Sequence, residues 1–113
     1  MSCVALEALL DAFTRHDVAA AEELFAPAAE YREAGRAAVR GREAIAQHFA
    51  AFAAHAAWRF AVDDVIRDGD RACVVYRFAL SEGAGAPWRE RAGCATVRLD
   101  AQGLIAAWRE YEG

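Results

Sequence analysis

In the stretch YREAG, Tyr31 and Glu33 project from one face of an extended chain while Arg32 takes the other. A carboxylate aimed into an apolar pocket can serve as a general base, because poor solvation of the charged form raises its affinity for a proton. The alternative is a solvated glutamate beside a glycine turn. Parity favours the pocket, which makes Glu33 the candidate catalytic residue. Tyr31, Phe78 and Trp108 would wall it, and Tyr31, Tyr76 or Arg91 would position a ligand oxygen.

Other groups could share such a site. His48 lies beside the apolar stripe of a helical segment, where it could relay a proton or bind a ligand; as a satisfied neighbour of the core it would do neither, and that is the commoner role. Trp108 and Glu110 share one face of the last strand, opposite Arg109 and Tyr111, so Glu110 is a second candidate carboxylate. A cross-strand ion pair with Arg91 or Arg89 is the role its neighbours favour. An inward Arg91 would fix a ligand carboxylate or enol oxygen. Trp58 and Trp108 read as core.

Several chemistries are set aside by context. SEGAGAP holds glycines but links two strands and lacks a following Gly-Lys-Ser/Thr and helix, so it is no phosphate loop. Neither Ser2 nor Ser81 stands in a strand-to-helix elbow. His16, His48 and His55 form no ligand motif, and two of them seven residues apart on one helix cannot chelate alone, so no metal and no cofactor are implied. Cys3, Cys73 and Cys94 are odd in number without a C-x-x-C, and buried free thiols are expected. A net charge of −4, with arginines scattered among acids, speaks against a nucleic-acid partner. MSCVALEALLDAF has no basic leader and sets Glu7 and Asp11 inside its apolar pattern. No signal peptide or membrane anchor is expected, and the expected compartment is the cytoplasm.

The elements that must position these residues follow from periodicity. Leu6, Leu9, Leu10 and Phe13 recur at helical spacing, and Asp17 offers an N-cap for a short second helix ending in Leu24 and Phe25 before Pro27. After an extended piece around Tyr31, GREAIAQHFAAFAAH reads as a third helix with Ile45, Phe49 and Phe52 on one face. From Trp58 the period changes to two. WRFAVDDVIR and RACVVYRFAL flank an Asp-Gly hairpin signal, followed by WRERAGCATVRL, a turn over Asp100 to Gly103, and LIAAWREYE. Helices followed by a meander of strands give an α+β domain, and without an internal linker one domain spans residues 1–113.

Face assignment adds a partner. Val74, Tyr76, Phe78 and Leu80 should meet the helices, while Cys73, Val75, Arg77 and Ala79 face outward with Ala92, Cys94, Ala107 and Tyr111. That outer face is too apolar for water, and a second subunit in a homodimer is expected to cover it.

LFAPAAEYREAGRAAVRGREAI and RLDAQGLIAAWREYE resemble the nuclear transport factor 2-like superfamily, in its SnoaL-like and ketosteroid isomerase-like branch, and the resemblance runs from Leu6 to Tyr111. It implies a cone: a curved antiparallel sheet packed on three N-terminal helices around a pocket, with Trp108 and Glu110 turned inward. Among ketosteroid isomerases a catalytic aspartate precedes a glycine-containing loop, and Glu33 stands at the matching position. The tyrosine of the first helix and the protonated aspartic acid of the penultimate strand match Leu9 and Ala95, which cannot donate. An enolate would lose its main stabilisation without them, so steroid isomerisation is not expected. The Asp-Arg-Asp set of limonene epoxide hydrolases and the polar set of scytalone dehydratase have no counterpart.

Together these readings give a pocket for a small apolar ligand. It would serve an enzyme moving a proton next to a carbonyl, in an isomerase, cyclase or dehydratase step, or else a noncatalytic binding or association module. Two inward carboxylate or histidine groups facing one cavity would favour the enzyme, and a filled cavity the module.

Overall fold

The computed structural model describes residues 4–55, 57–83 and 85–112; Ser2 and Cys3 lie outside the described residues. Leu6, Leu9 and Phe13 are buried along one face of α1 (Val4–Thr14), as their spacing requires. Asp17 caps α2 (Val18–Glu22), its carboxylate accepting from Ala20 N–H at 3.0 Å. β1 (Phe25–Arg32) and the two-residue β2 (Val39–Arg40) precede α3 (Arg42–His55), whose Ile45 and Phe49 are buried. Four long strands follow: β3 (Ala57–Asp68), β4 (Arg71–Ser81), β5 (Arg89–Leu99) and β6 (Ile105–Glu112).

The strands form one curved sheet in the order β2-β1-β6-β5-β4-β3. The α+β expectation holds, with three corrections. The sheet is mixed, because β1 runs parallel to β6, with Tyr31 opposite Trp108. α2 ends at Glu22, before Leu24, and Phe25 already starts a strand. Pro27, read as the punctuation after a helix, is instead accommodated where the β1–β6 register shifts between Phe25 and Glu30, so its missing N–H breaks no ladder. Thirdly, Cys73 and Cys94 are only half-buried, since both sit on the outer sheet face.

Two local devices set the curvature and register. Asp68 pairs with Arg71 across a two-residue turn in which Gly69 takes φ 61°, a conformation only glycine adopts without strain. A bulge between Val62 and Asp64 then bends β3, so that Trp58 and Phe60 before it and Val65 after it share the inner face. At the other turn the Asp100 carboxylate accepts from the N–H groups of Gln102 and Leu104, both at 2.9 Å, and delivers Ile105 to the core. Among the described residues no helix is long and apolar enough to cross a membrane.

Phe13 ties helices to sheet through edge-to-face contacts with Phe49, Phe60 and Trp108 at 5.4–5.7 Å between centroids. Gly93 of β5 lies opposite Tyr76 and Glu112. A methyl group there would meet the Tyr111 carbonyl oxygen at 2.7 Å and the Tyr76 hydroxyl at 3.3 Å. Gly93→Ala should therefore lower stability by roughly 1–3 kcal/mol and move the Tyr76 ring. A urea midpoint and Tyr76 ring resonances unchanged by the substitution would show that β5 and β6 can separate freely.

Candidate functional site

Sheet curvature and the two longer helices leave a cavity of about 620 Å³ between them. Its wall is aromatic: Phe13 from α1, Phe49 and Phe52 from α3, Trp58 and Phe60 from β3, and Phe78 from β4. Trp58 and Phe78 stack at 6.3 Å, and Phe52 packs on both. Such rings bury much apolar area with few rotatable bonds, so the space between them stays open rather than collapsing.

Glu110 enters this wall from β6. Its Oε2 accepts a hydrogen bond from Trp108 Nε1–H at 2.9 Å and another from the Tyr31 hydroxyl at 3.4 Å. Trp108 is fully buried beneath it and Tyr31 is 6% exposed. Among the described residues no cation pairs with Glu110. Burial raises its pKa from the usual 4.5 to about 7; the nearby Glu33 charge pushes the same way, and the Trp108 and Tyr31 hydrogen bonds oppose it without winning. Burial also raises Tyr31 well above the usual tyrosine range, with the Glu110 and Glu33 charges adding to it, so the phenol stays a donor.

Glu33 follows directly on β1 and reaches the same cavity. Its Oε1 lies 3.4 Å from His48 Nε2 and 3.9 Å from Arg36 Nε, and its side chain is 28% exposed. Tyr31 bridges the two acids in space, its ring 5.6 Å from that of His48. On β4 the Tyr76 ring stacks on Phe60 and lines the cavity, and burial foremost raises its pKa, so that this phenol too keeps its proton. Its hydroxyl makes no hydrogen bond to another described residue.

The structure thus gathers Tyr31, Glu33, His48, Tyr76, Phe78, Arg91 and Glu110 around one cavity, while Trp108 lies behind it as support. The ion pair expected for Glu110 does not form. Arg91 holds Glu112 at 2.6 Å and Arg89 holds Glu82 at 3.1 Å, because the β5–β6 register sets Gly93 opposite Glu112 but Ala95 opposite Glu110. Arg91 borders the cavity with its guanidinium already engaged. Trp108, expected both as core and as a wall of the pocket, lies fully buried behind the lining and supplies the shortest hydrogen bond to Glu110; its position two residues earlier on the same strand face is the signal for that contact. Among the described residues no group of three or more His, Cys, Asp or Glu side chains gathers as a metal site.

Comparison with known proteins matches residues 6–108 to the SnoaL-like domain. In structure the chain is similar to an LEH-like epoxide hydrolase of Mycobacterium tuberculosis, at 21% identity and TM-score 0.83, over 96% of this chain and 80% of that one. A second similar structure is a Mycobacterium tuberculosis protein in complex with estradiol-17beta-hemisuccinate, at 18% identity and TM-score 0.84, covering 97% and 92% of the two chains. The epoxide hydrolase/cyclase-like enzyme SalBIII of pyran ring formation in the polyether salinomycin is 17% identical, with TM-score 0.84 over 96% and 88%. No curated protein matches in sequence.

The raised acid has a thermodynamic consequence. Between the usual 4.5 and about 7 the folded protein holds a proton that the unfolded chain has released, so stability falls as pH rises through this window. The loss is complete above the folded value and amounts to something on the order of 3 kcal/mol. Glu110→Gln keeps the shape and the acceptor oxygen without the ionisation. Urea denaturation should show the variant gaining on the wild type between pH 5 and pH 8; an equal difference at both pH values would mean that Glu110 titrates normally.

Proposed function

We propose, from the premise that this chain belongs to the SnoaL-like domain family, that it is an enzyme moving a proton within a small, largely apolar ligand held in the cone. One observation carries this reading: two carboxyl groups in contrasting surroundings face a single open aromatic cavity. Glu110 is buried with neutral donors only, whereas Glu33 is partly exposed beside His48 and Arg36. Pairs of acids pushed apart by environment divide acid and base roles between them.

In the proposed step a carbonyl oxygen of the ligand approaches Glu110 and Tyr76 while an adjacent C–H faces Glu33. The C–H bond breaks toward the Glu33 carboxylate, and the Glu110 proton passes to the carbonyl oxygen, giving a neutral enol. Return of the first proton to a different carbon, with the enol proton going back to Glu110, completes an isomerisation. In a dehydration the enol instead expels a β-hydroxyl as water, the protonated Glu33 supplying its proton while the enol proton returns to Glu110. His48 orients Glu33 and takes no part in bond making.

The apolar character of the ligand is supported by the aromatic wall and by the steroid ester bound to one similar protein. The acid role of Glu110 gains support from the position it occupies. It pairs across the sheet with Ala95, which matches the protonated aspartic acid of ketosteroid isomerases, so a carboxyl is available one strand away. The second reading, a noncatalytic binding module, rests on the same cavity without the chemistry.

A homodimer belongs to this proposal. The outer face centres on Val75, Cys94 and the exposed Tyr111, with the exposed Ile66 of β3 opposite Cys73 on the same face. A two-fold axis through the centre would bring these apolar groups of two subunits together. Sedimentation should give a dimer at micromolar concentration that Val75→Glu dissociates; a clean wild-type monomer would remove the claim.

Proton transfer is tested without knowing the substrate. A panel of neutral apolar carbonyl compounds is incubated with the protein in D₂O, and loss of α-protons is followed by NMR. At least one compound should exchange, and Glu33→Gln and Glu110→Gln should each slow it by roughly 10²–10⁴-fold. Compounds that raise the melting temperature without exchanging would place the protein among the binding modules.

A further inference from the structure

Both hydrogen bonds that Glu110 receives end on the same oxygen. Trp108 Nε1–H reaches Oε2 at 2.9 Å and the Tyr31 O–H reaches Oε2 at 3.4 Å, while Oε1 accepts nothing from another described residue. A neutral carboxyl has one carbonyl oxygen, the stronger acceptor, and one hydroxyl oxygen, which donates and accepts only weakly. An indole N–H can only donate. Two donors converging on Oε2 therefore favour it as the carbonyl oxygen.

We infer that Trp108 and Tyr31 are positioning residues that hold the proton of Glu110 on Oε1, the oxygen that no described residue engages, and that this proton is the one offered to a ligand in the cavity. The inference rests on the reading of Glu110 as the acid and deepens it by naming which oxygen delivers the proton. Trp108 suits the task because its ring is fully buried and braced edge-on by Phe13 at 5.7 Å, so the N–H has one direction. Its place two residues before Glu110 on one strand face fixes the geometry through β6 itself. When Oε1 gives up its proton, both hydrogen bonds remain and become charge-assisted, so the same two donors stabilise the carboxylate that the transfer creates.

The titratable and charged groups facing Glu110 come from every surrounding element: Tyr31 and Glu33 from β1 and its loop, His48 from α3, Tyr76 from β4, Arg91 from β5 and Glu112 from β6. Of these, only Tyr31 reaches Oε2, as a donor. Arg91, the fixed cation among them, is spent on Glu112 at 2.6 Å.

Infrared difference spectra between pH 5 and pH 9 test the assignment, with Glu110→Gln identifying the carboxyl band. In the wild type the C=O of neutral Glu110 is Oε2, so removing a donor should raise its stretching frequency. Trp108→Phe should show this, and Tyr31→Phe provides the same readout if the larger core change prevents folding. In parallel, the Trp108 indole ¹H–¹⁵N signal should titrate with Glu110, near pH 7, and lose that titration in Glu110→Gln. A band that keeps its frequency in the folded variants, or an indole signal flat from pH 5 to pH 9, would overturn the inference. Because neither readout requires turnover, a protein that shows both signatures yet exchanges no ligand proton would retain the proton placement and lose only the acid role.

Discussion

The structure depends on the burial of one carboxyl group among aromatic rings, held by neutral hydrogen-bond donors and without an ion-pair partner among the described residues. Glu110 sits on Trp108 and Tyr31, and these in turn are packed by Phe13 and Phe49 from the helices. A charge in such a place is poorly solvated, and without a cation beside it the group meets that cost by keeping its proton near neutral pH. Every other feature of the cavity conforms to this constraint. Arg91 is bound to Glu112, and the aromatic rings wall the space that a ligand would enter.

Much of the framework was legible in the residues. Leu6, Leu9 and Phe13 mark α1 by period, Asp17 marks the cap of α2, and alternation from Trp58 onward marks the strands and their inner faces. Those signals are local, and local chemistry enforces them. What could not be read was the pairing of β1 with β6, which joins Tyr31 to Glu110 across 79 residues of sequence. Local pattern carries no information about which strand a segment will join, and Pro27 disguised the start of β1 as a loop.

The site was legible to the same depth. Parity placed Tyr31 and Glu33 on one face, and Trp108 with Glu110 on another, and the structure brings both pairs to one end of the cone. Partner choice was the part that escaped. Arg91 and Glu110 look like natural cross-strand partners until the register sets Ala95 rather than Arg91 across from Glu110. A shift of four residues in that ladder would set Arg91 opposite Glu110 and alter the chemistry, although composition and strand count would be unchanged.

The central claim is that Glu110 remains protonated close to neutral pH inside the folded cone. Selective ¹³C labelling of glutamate side chains, with Glu110→Gln to assign the signal, allows the Glu110 carboxyl carbon to be followed directly through a pH titration. The account predicts a midpoint of about 7. A midpoint at the usual carboxylate value of about 4.5 would contradict it, because the carboxyl would then be solvated or paired with a cation and could hold no proton for the ligand.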